Sequence, residues 1–217
     1  MIGEMVRKLR AEVPEGVEIE AAAKTRTPEE ISRAVAAGIR VIGENYVQEF
    51  LRVRGEVRGD PAWHFIGHLQ TNKVKKIVGL VDLIETLDSL KLAREIEKRA
   101  GAAGLVMECL IEVNSGREEQ KAGVYPEDVP GLIAEIARLP HISVRGLMTM
   151  GPLAGDPEEA RPFFRATREL FERLRENPIP GAGMEILSMG MTNSYRVAIS
   201  EGANLVRIGT GIFGPRE

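Results

Sequence analysis

The sequence contains a single cysteine, Cys109, so no disulfide can form within the chain. Only three histidines are present. Neither ligand-spaced cysteines nor an HExxH pattern accompanies them, so no metal site is expected. No apolar stretch approaches the roughly 18 residues of a membrane span. Neither sign of charge dominates: 29 Lys and Arg stand against 32 Asp and Glu, for a net charge of −3. That balance argues against a general binder of nucleic acid or anionic membrane. Low-complexity segments are absent. Without a charged-then-apolar leader, the expected location is a reducing cytoplasm.

Of the 217 residues, 43% are hydrophobic and 28% charged, a composition that supports a packed core. The length suits one α/β domain over residues 1–217. The one basic cluster, "NKVKKIV" with Lys73, Lys75 and Lys76, reads as a solvated helix face.

Residues 1–12 place Met1, Ile2, Met5, Val6 and Leu9 at helical spacing. Short apolar runs then recur near 17–23, 39–43, 62–67, 81–85, 105–113, 142–149, 184–189 and 204–209. Most lead into helix-like segments such as "TPEEISRAVAAG", "SLKLAREIEKRAG" and "DPEEARPFFRATRELFERLRE", several of which open with helix-starting residues. Eight such alternations predict a single (β/α)8 TIM-type barrel, with an open doubly wound sheet as the alternative. Only "GTGIFGPRE" follows the eighth run, too short for a closing helix. The N-terminal helix is therefore expected to cover the last strand from outside.

In such a barrel, function belongs at the C-terminal ends of the strands. Lys24 ends "IEAAAK", where apolar surroundings would favour a neutral, nucleophilic amine, although a solvated strand-end lysine is the simpler reading. "GENYVQE" offers Gly43 for close backbone approach. Asn45 serves there either as a rim hydrogen-bonding group or as a helix cap. His64 and His68 in "WHFIGHLQTNK" stand four apart, but a strand end and a glycine intervene, and His64 reads as a core or rim residue. "LSMGMTNS" and "VRIGTGIFG" bring Ser188, Gly190, Thr192, Gly209, Thr210 and Gly211 to loops seven and eight, the usual phosphate position of the fold. Arg207 lies within the eighth run, facing either the helices or the interior, where a barrel carboxylate or a ligand's ring nitrogen would have to meet it. A phosphorylated aldehyde with an aromatic nitrogen, such as pyridoxal 5′-phosphate, suits this set.

The motifs "AAAKT", "GENYVQE", "WHFIGHLQTNK", "VNSGREEQKAG", "GLMTMGP", "LSMGMTNS" and "VRIGTGIFG" follow one another along nearly the whole chain. In that order they resemble the pyridoxal phosphate homeostasis protein family, related to the barrel domain of alanine racemase. The resemblance implies a Schiff base between pyridoxal 5′-phosphate and Lys24, with Arg207 facing the pyridine nitrogen. It places Ser188, Thr192, Gly209 and Thr210 around the phosphate and Asn45 beside the ring. Two departures stand out. Thr192-Asn193-Ser194 replaces the family's Ser-x-Asp, losing a negative charge, and Thr86 replaces a serine.

An arginine at the ring nitrogen keeps its proton, which leaves the ring a poorer electron sink. Racemisation also needs a second base, which in alanine racemases resembles a tyrosine from a separate β-domain. The expected function is therefore a monomeric carrier that buffers the cofactor and passes it to apo-enzymes, with no catalytic residue assigned. A weak amino-acid racemase is the alternative, and a cofactor-free Schiff-base aldolase using Lys24 is a third reading.

Overall fold

The computed structural model describes residues 1–151 and 155–215. Strands β1 (Glu18–Ala22), β2 (Val41–Glu44), β3 (Ala62–Phe65), β4 (Leu83–Leu87), β5 (Met107–Val113), β6 (Ile142–Thr149), β7 (Ala182–Ser188) and β8 (Leu205–Ile208) pair in sequence order. They are parallel, and β8 returns to β1 to close the barrel. The helices are α1 (Ile2–Glu12), α2 (Pro28–Ala36), α3 (Val47–Val53), α4 (Thr71–Val74), α5 (Leu90–Ala103), α6 (Val129–Ile136), α7 (Arg161–Glu176), α8 (Tyr195–Ser200) and α9 (Thr210–Phe213).

Local chemistry explains where these elements start. Thr27 caps α2: its hydroxyl accepts from Glu30 N–H, the Glu30 carboxylate accepts from Thr27 N–H, and Pro28 opens the first turn. In α7, Phe164, Thr167, Phe171 and Leu174 are buried at helical spacing, forming one stripe against the barrel. The "NKVKKIV" segment departs from the expectation of a helix face. Only the single turn of α4 is helical, and turns follow it.

Helix α1 packs against α2 and α9. Its last residue, Glu12, accepts hydrogen bonds from Tyr195 and Arg196 of α8. The N-terminal helix thus fills the outer gap beside the β8–β1 pair, where the one-turn α9 leaves room. Among the described residues, no helix is long and apolar enough to cross a membrane.

Most of these strands are buried on both faces, whereas the first part of β7 is only partly covered. Ile19 and Ala21 of β1, with Val206 and Ile208 of β8, join the large apolar layer between barrel and helices. Inside the barrel a small cluster of Leu83, Leu110 and Met148 packs with Ile186. One side-chain step nearer the mouth the interior turns polar, with Glu85, Glu112 and Ser188 buried alongside Glu20, His64 and Arg207. Barrel interiors are usually filled with branched apolar side chains, so this charged layer calls for a chemical account.

Candidate functional site

The C-terminal ends of the strands enclose a cavity of about 590 Å³. Lys24, Asn45, Thr192, Arg207, Gly209 and Thr210 all line it, with Ala22, Ile66, Met150, Met191 and Asn193 completing the wall. Lys24 stands two residues beyond the end of β1, and its Nζ lies over the ring of Tyr46, 4.8 Å from the centroid. The amine therefore meets an aromatic face rather than purely aliphatic surroundings. Asn45 does not cap α3, whose N-cap is Tyr46 without any side-chain cap bond. Its place is on the rim.

Gly43 is required by the protein's own side chains. A Cβ there would lie 2.5 Å from Glu20 Oε1 and 2.8 Å from Ile66 Cδ1. The close approach expected at this glycine is therefore made by Glu20 from within the barrel.

Loops seven and eight meet at one oxygen. Thr192 Oγ1 accepts from Gly209 N–H and from Gly211 N–H, each at 3.3 Å, while Thr210 is exposed at the rim. Gly190 permits the turn: its φ is +87°, and a Cβ would stand 2.5 Å from that of Ala198. Ser194, at the position where the resemblance would put an aspartate, is buried, and its Oγ accepts from Met191 N–H at 3.2 Å. A hydroxyl thus supplies an acceptor within the loop. Thr86 likewise keeps a hydroxyl bond, donating to Gly67 O at 2.7 Å.

Arg207 faces inward and forms the cavity floor. Its Nη1 donates to Ser188 Oγ at 2.5 Å and its Nη2 to the Thr149 carbonyl at 2.9 Å, with Glu85 Oε2 at 3.7 Å from Nη1. Ser188 departs from the expectation of a phosphate contact. It is fully buried, donates to Glu85 Oε2 at 2.6 Å, and is not part of the cavity wall. Its side chain points inward one level below the rim, where Arg207 and Glu85 engage it.

Glu85 also binds His64, with Oε1 2.8 Å from Nδ1, and Glu20 Oε1 is 3.4 Å from the same nitrogen. Burial pulls the imidazole pKa down, but the neighbouring carboxylates of Glu20 and Glu85 outweigh it and raise it to about 10. Burial alone would raise the Glu85 carboxyl, yet His64 and Arg207 hold it below the ordinary range. Glu20 is pushed up to about 7 by burial first and by the Glu85 charge second. Neither of its oxygens has a hydrogen-bond partner among the described residues, which disfavours its charged form. A protonated His64 between the two carboxylates offsets their charge, so hydrogen bonding and ion pairing account for this three-residue cluster.

Sequence reasoning missed Glu20, Glu85, the Thr149 carbonyl and the place of Tyr46 beside the amine. The available signal was a lone glutamate in each of two otherwise buried runs, "IEAAA" and "LIETL", since an unpaired buried carboxylate is unfavourable.

Over residues 3–217 the chain matches the family described as alanine racemase, N-terminal domain. It is 48% identical over 197 residues to the pyridoxal phosphate homeostasis protein of Aquifex aeolicus, covering 90% of this chain and 86% of that protein. Its fold superposes on PipY of Synechococcus elongatus PCC7942 without PLP at a TM-score of 0.92, with 33% identity over 99% of this chain and 100% of that one. With PLP bound, PipY gives a TM-score of 0.90 and 32% identity at the same coverage. Alanine racemase of Clostridium difficile 630 shares the fold alone, with a TM-score of 0.82 and 15% identity over 99% of this chain and 56% of that one. With its closed barrel and its strand-end lysine, the chain belongs to the alanine racemase N-terminal domain family, among the pyridoxal phosphate homeostasis proteins.

Proposed function

We propose that this protein binds pyridoxal 5′-phosphate covalently through the Lys24 amine and serves intracellular cofactor homeostasis, buffering the cofactor and handing it to apo-enzymes. The observation that carries this reading is the convergence of three unlike groups on one cavity. They are a primary amine, a buried guanidinium, and two backbone N–H groups already aimed at a single oxygen.

The residues fit the cofactor group by group. Bound there, the cofactor supplies an aldehyde that condenses with a primary amine, forming a carbon–nitrogen double bond with loss of water. Lys24 is the lysine on the cavity wall. Gly209 and Gly211 present N–H donors of the kind that suit a phosphate oxygen, with Thr192 and Thr210 beside them. A guanidinium carries five N–H donors, and Ser188 and Thr149 engage only Nη1 and Nη2 of Arg207. Arg207 therefore retains donors for a ring nitrogen. Asn45 completes the wall.

The same residues favour holding over turnover. Arg207 donates a hydrogen bond without surrendering its proton, so it does not strengthen the ring as an electron sink. Lys24 and Arg207 are the ionisable groups among the described lining residues. With Lys24 committed to the cofactor, neither of these lining groups serves as the second base that racemisation requires, and Tyr46 meets the amine with its ring face. Tyr195 donates its hydroxyl to Glu12, outside the barrel. The reading includes a cytoplasmic monomer.

The test is to load the purified protein with pyridoxal 5′-phosphate, record its absorption spectrum, and reduce it with borohydride to find the modified peptide by mass. Wild type is expected to turn yellow and carry the label on Lys24, without measurable racemisation of alanine. Lys24→Ala should stay unlabelled with an unchanged circular dichroism spectrum. A wild type that takes no label would overturn the reading, and rapid racemisation would replace the carrier by an enzyme.

A further inference from the structure

Thr25, next to Lys24, has a φ of +67°. A β-branched residue in the left-handed region is a true outlier, and it persists only where its surroundings hold it. The holding contact is specific: Thr25 N–H donates to Glu49 Oε2 at 2.9 Å. Glu49 sits in the first turn of α3, so the next β/α unit grips the loop after β1. The turn is closed from the other side by Arg26 N–H, which donates to Ala23 O at 2.9 Å. The Arg26 guanidinium then anchors it, donating to Gly214 O at 2.7 Å.

The start of α3 acts on Lys24 twice. Tyr46, the N-cap, lies under the amine. Glu49, three residues on, fixes the backbone immediately after it. Without Glu49 the Thr25 N–H loses this acceptor, and the strained φ is left with only the turn bond from Arg26 N–H to Ala23 O as a restraint. The chain would then relax toward negative φ, turning the Lys24 side chain away from the wall it shares with Arg207 and Gly209.

We propose that Glu49 is a positioning residue: it holds Thr25 in the left-handed conformation and so aims the Lys24 amine into the cavity. The inference rests on Lys24 being the cofactor's anchor. It also gives the final glutamate of "GENYVQE" a task that ligand contact does not explain, since Glu49 does not line the cavity.

The experiment follows covalent capture of pyridoxal 5′-phosphate by stopped-flow absorbance, with borohydride trapping to confirm the lysine labelled. Glu49→Ala is expected to slow capture roughly tenfold, about the population penalty of a left-handed non-glycine residue. Glu49→Gln, which keeps an acceptor oxygen, should lose much less. The decisive variant is Thr25→Gly combined with Glu49→Ala, because glycine adopts positive φ unaided and should restore the rate. Capture by Glu49→Ala at the wild-type rate, or a double variant as slow as Glu49→Ala, would overturn the inference. Lys24→Ala separates the two claims. Labelling that persists in it refutes the anchor itself, whereas loss of labelling there beside a normal Glu49→Ala refutes only the role of Glu49.

Discussion

Glu85→Gln is the most demanding test of the barrel floor. The wild-type carboxylate is fully buried, sits 2.8 Å from His64 Nδ1, accepts from Ser188 at 2.6 Å, and stands 3.7 Å from Arg207. Glutamine keeps the shape but has a single acceptor oxygen. Either the His64 or the Ser188 donor is left unmatched, and two buried cations lose their compensating charge. Removing one partner of a buried ion pair costs about 3–5 kcal/mol. The remaining carbonyl bond returns about 1 kcal/mol, so a net loss of roughly 3 kcal/mol is expected. At about 2–4 °C per kcal/mol for a chain of this size, the melting temperature should fall by roughly 6–12 °C. Urea unfolding of the unloaded protein at neutral pH, read by circular dichroism, measures the loss directly. A double-mutant cycle with His64→Asn should show coupling within the roughly 0.5–3 kcal/mol of contacting residues. A loss under about 1 kcal/mol, or strictly additive variants, would refute the idea of a charge-balanced cluster beneath Arg207.

The pH dependence follows from three carboxyls held above their ordinary range chiefly by burial: Glu44 at about 8, Glu20 and Glu112 at about 7. Between about pH 4.5 and 8 the folded state binds more protons than the unfolded chain, so these groups lower stability as pH rises. His64, raised to about 10, acts in the same direction at higher pH. The urea midpoint should fall from mildly acidic to mildly alkaline pH, and Glu44→Gln should flatten part of that slope; a midpoint that climbs instead contradicts the assignment. Gly43→Ala should destabilise by about 1–3 kcal/mol in thermal melts, because its Cβ would press on Glu20 and Ile66. Thr192→Val removes the oxygen to which the Gly209 and Gly211 N–H groups return, so release of the cofactor during dialysis should slow about tenfold. Unchanged release would remove Thr192 from the phosphate cradle.

The barrel was legible because each β/α unit repeats an apolar run and a capped helix, and "TPEE" spells out the capping box found at Thr27 and Glu30. The rim was legible for the same reason, since Lys24, Thr192, Gly209 and Thr210 each follow the end of a run. What was not legible is which way a residue faces in strands buried on both sides. Arg207 could have pointed outward; its neighbours Val206 and Ile208 take the helix-facing positions, leaving Arg207 inside. The same ambiguity hid Glu20 and Glu85 and put Ser188 one level too high. The place of Tyr46 under Lys24 was not foreseeable, because it depends on the N-cap geometry of α3, which no sequence spacing reveals.

The two ends of the cavity differ in how their polar groups are satisfied, and that difference bears on carriage. At the floor, Arg207 is fixed by the protein's own Ser188 and Thr149 carbonyl. Its orientation is set in advance, so little ordering remains to be done on binding. At the rim, the Gly209 and Gly211 N–H groups already share an oxygen, and both bonds are long at 3.3 Å. On the proposed reading, an incoming phosphate oxygen would exchange with Thr192 as acceptor instead of satisfying orphaned donors. Such an exchange gains less than pairing an unmatched donor would, because the donors are paired in both states. A stiff floor, with a rim whose donors would fall back on Thr192 when a phosphate leaves, suits the proposed carrier, which would have to release what it holds.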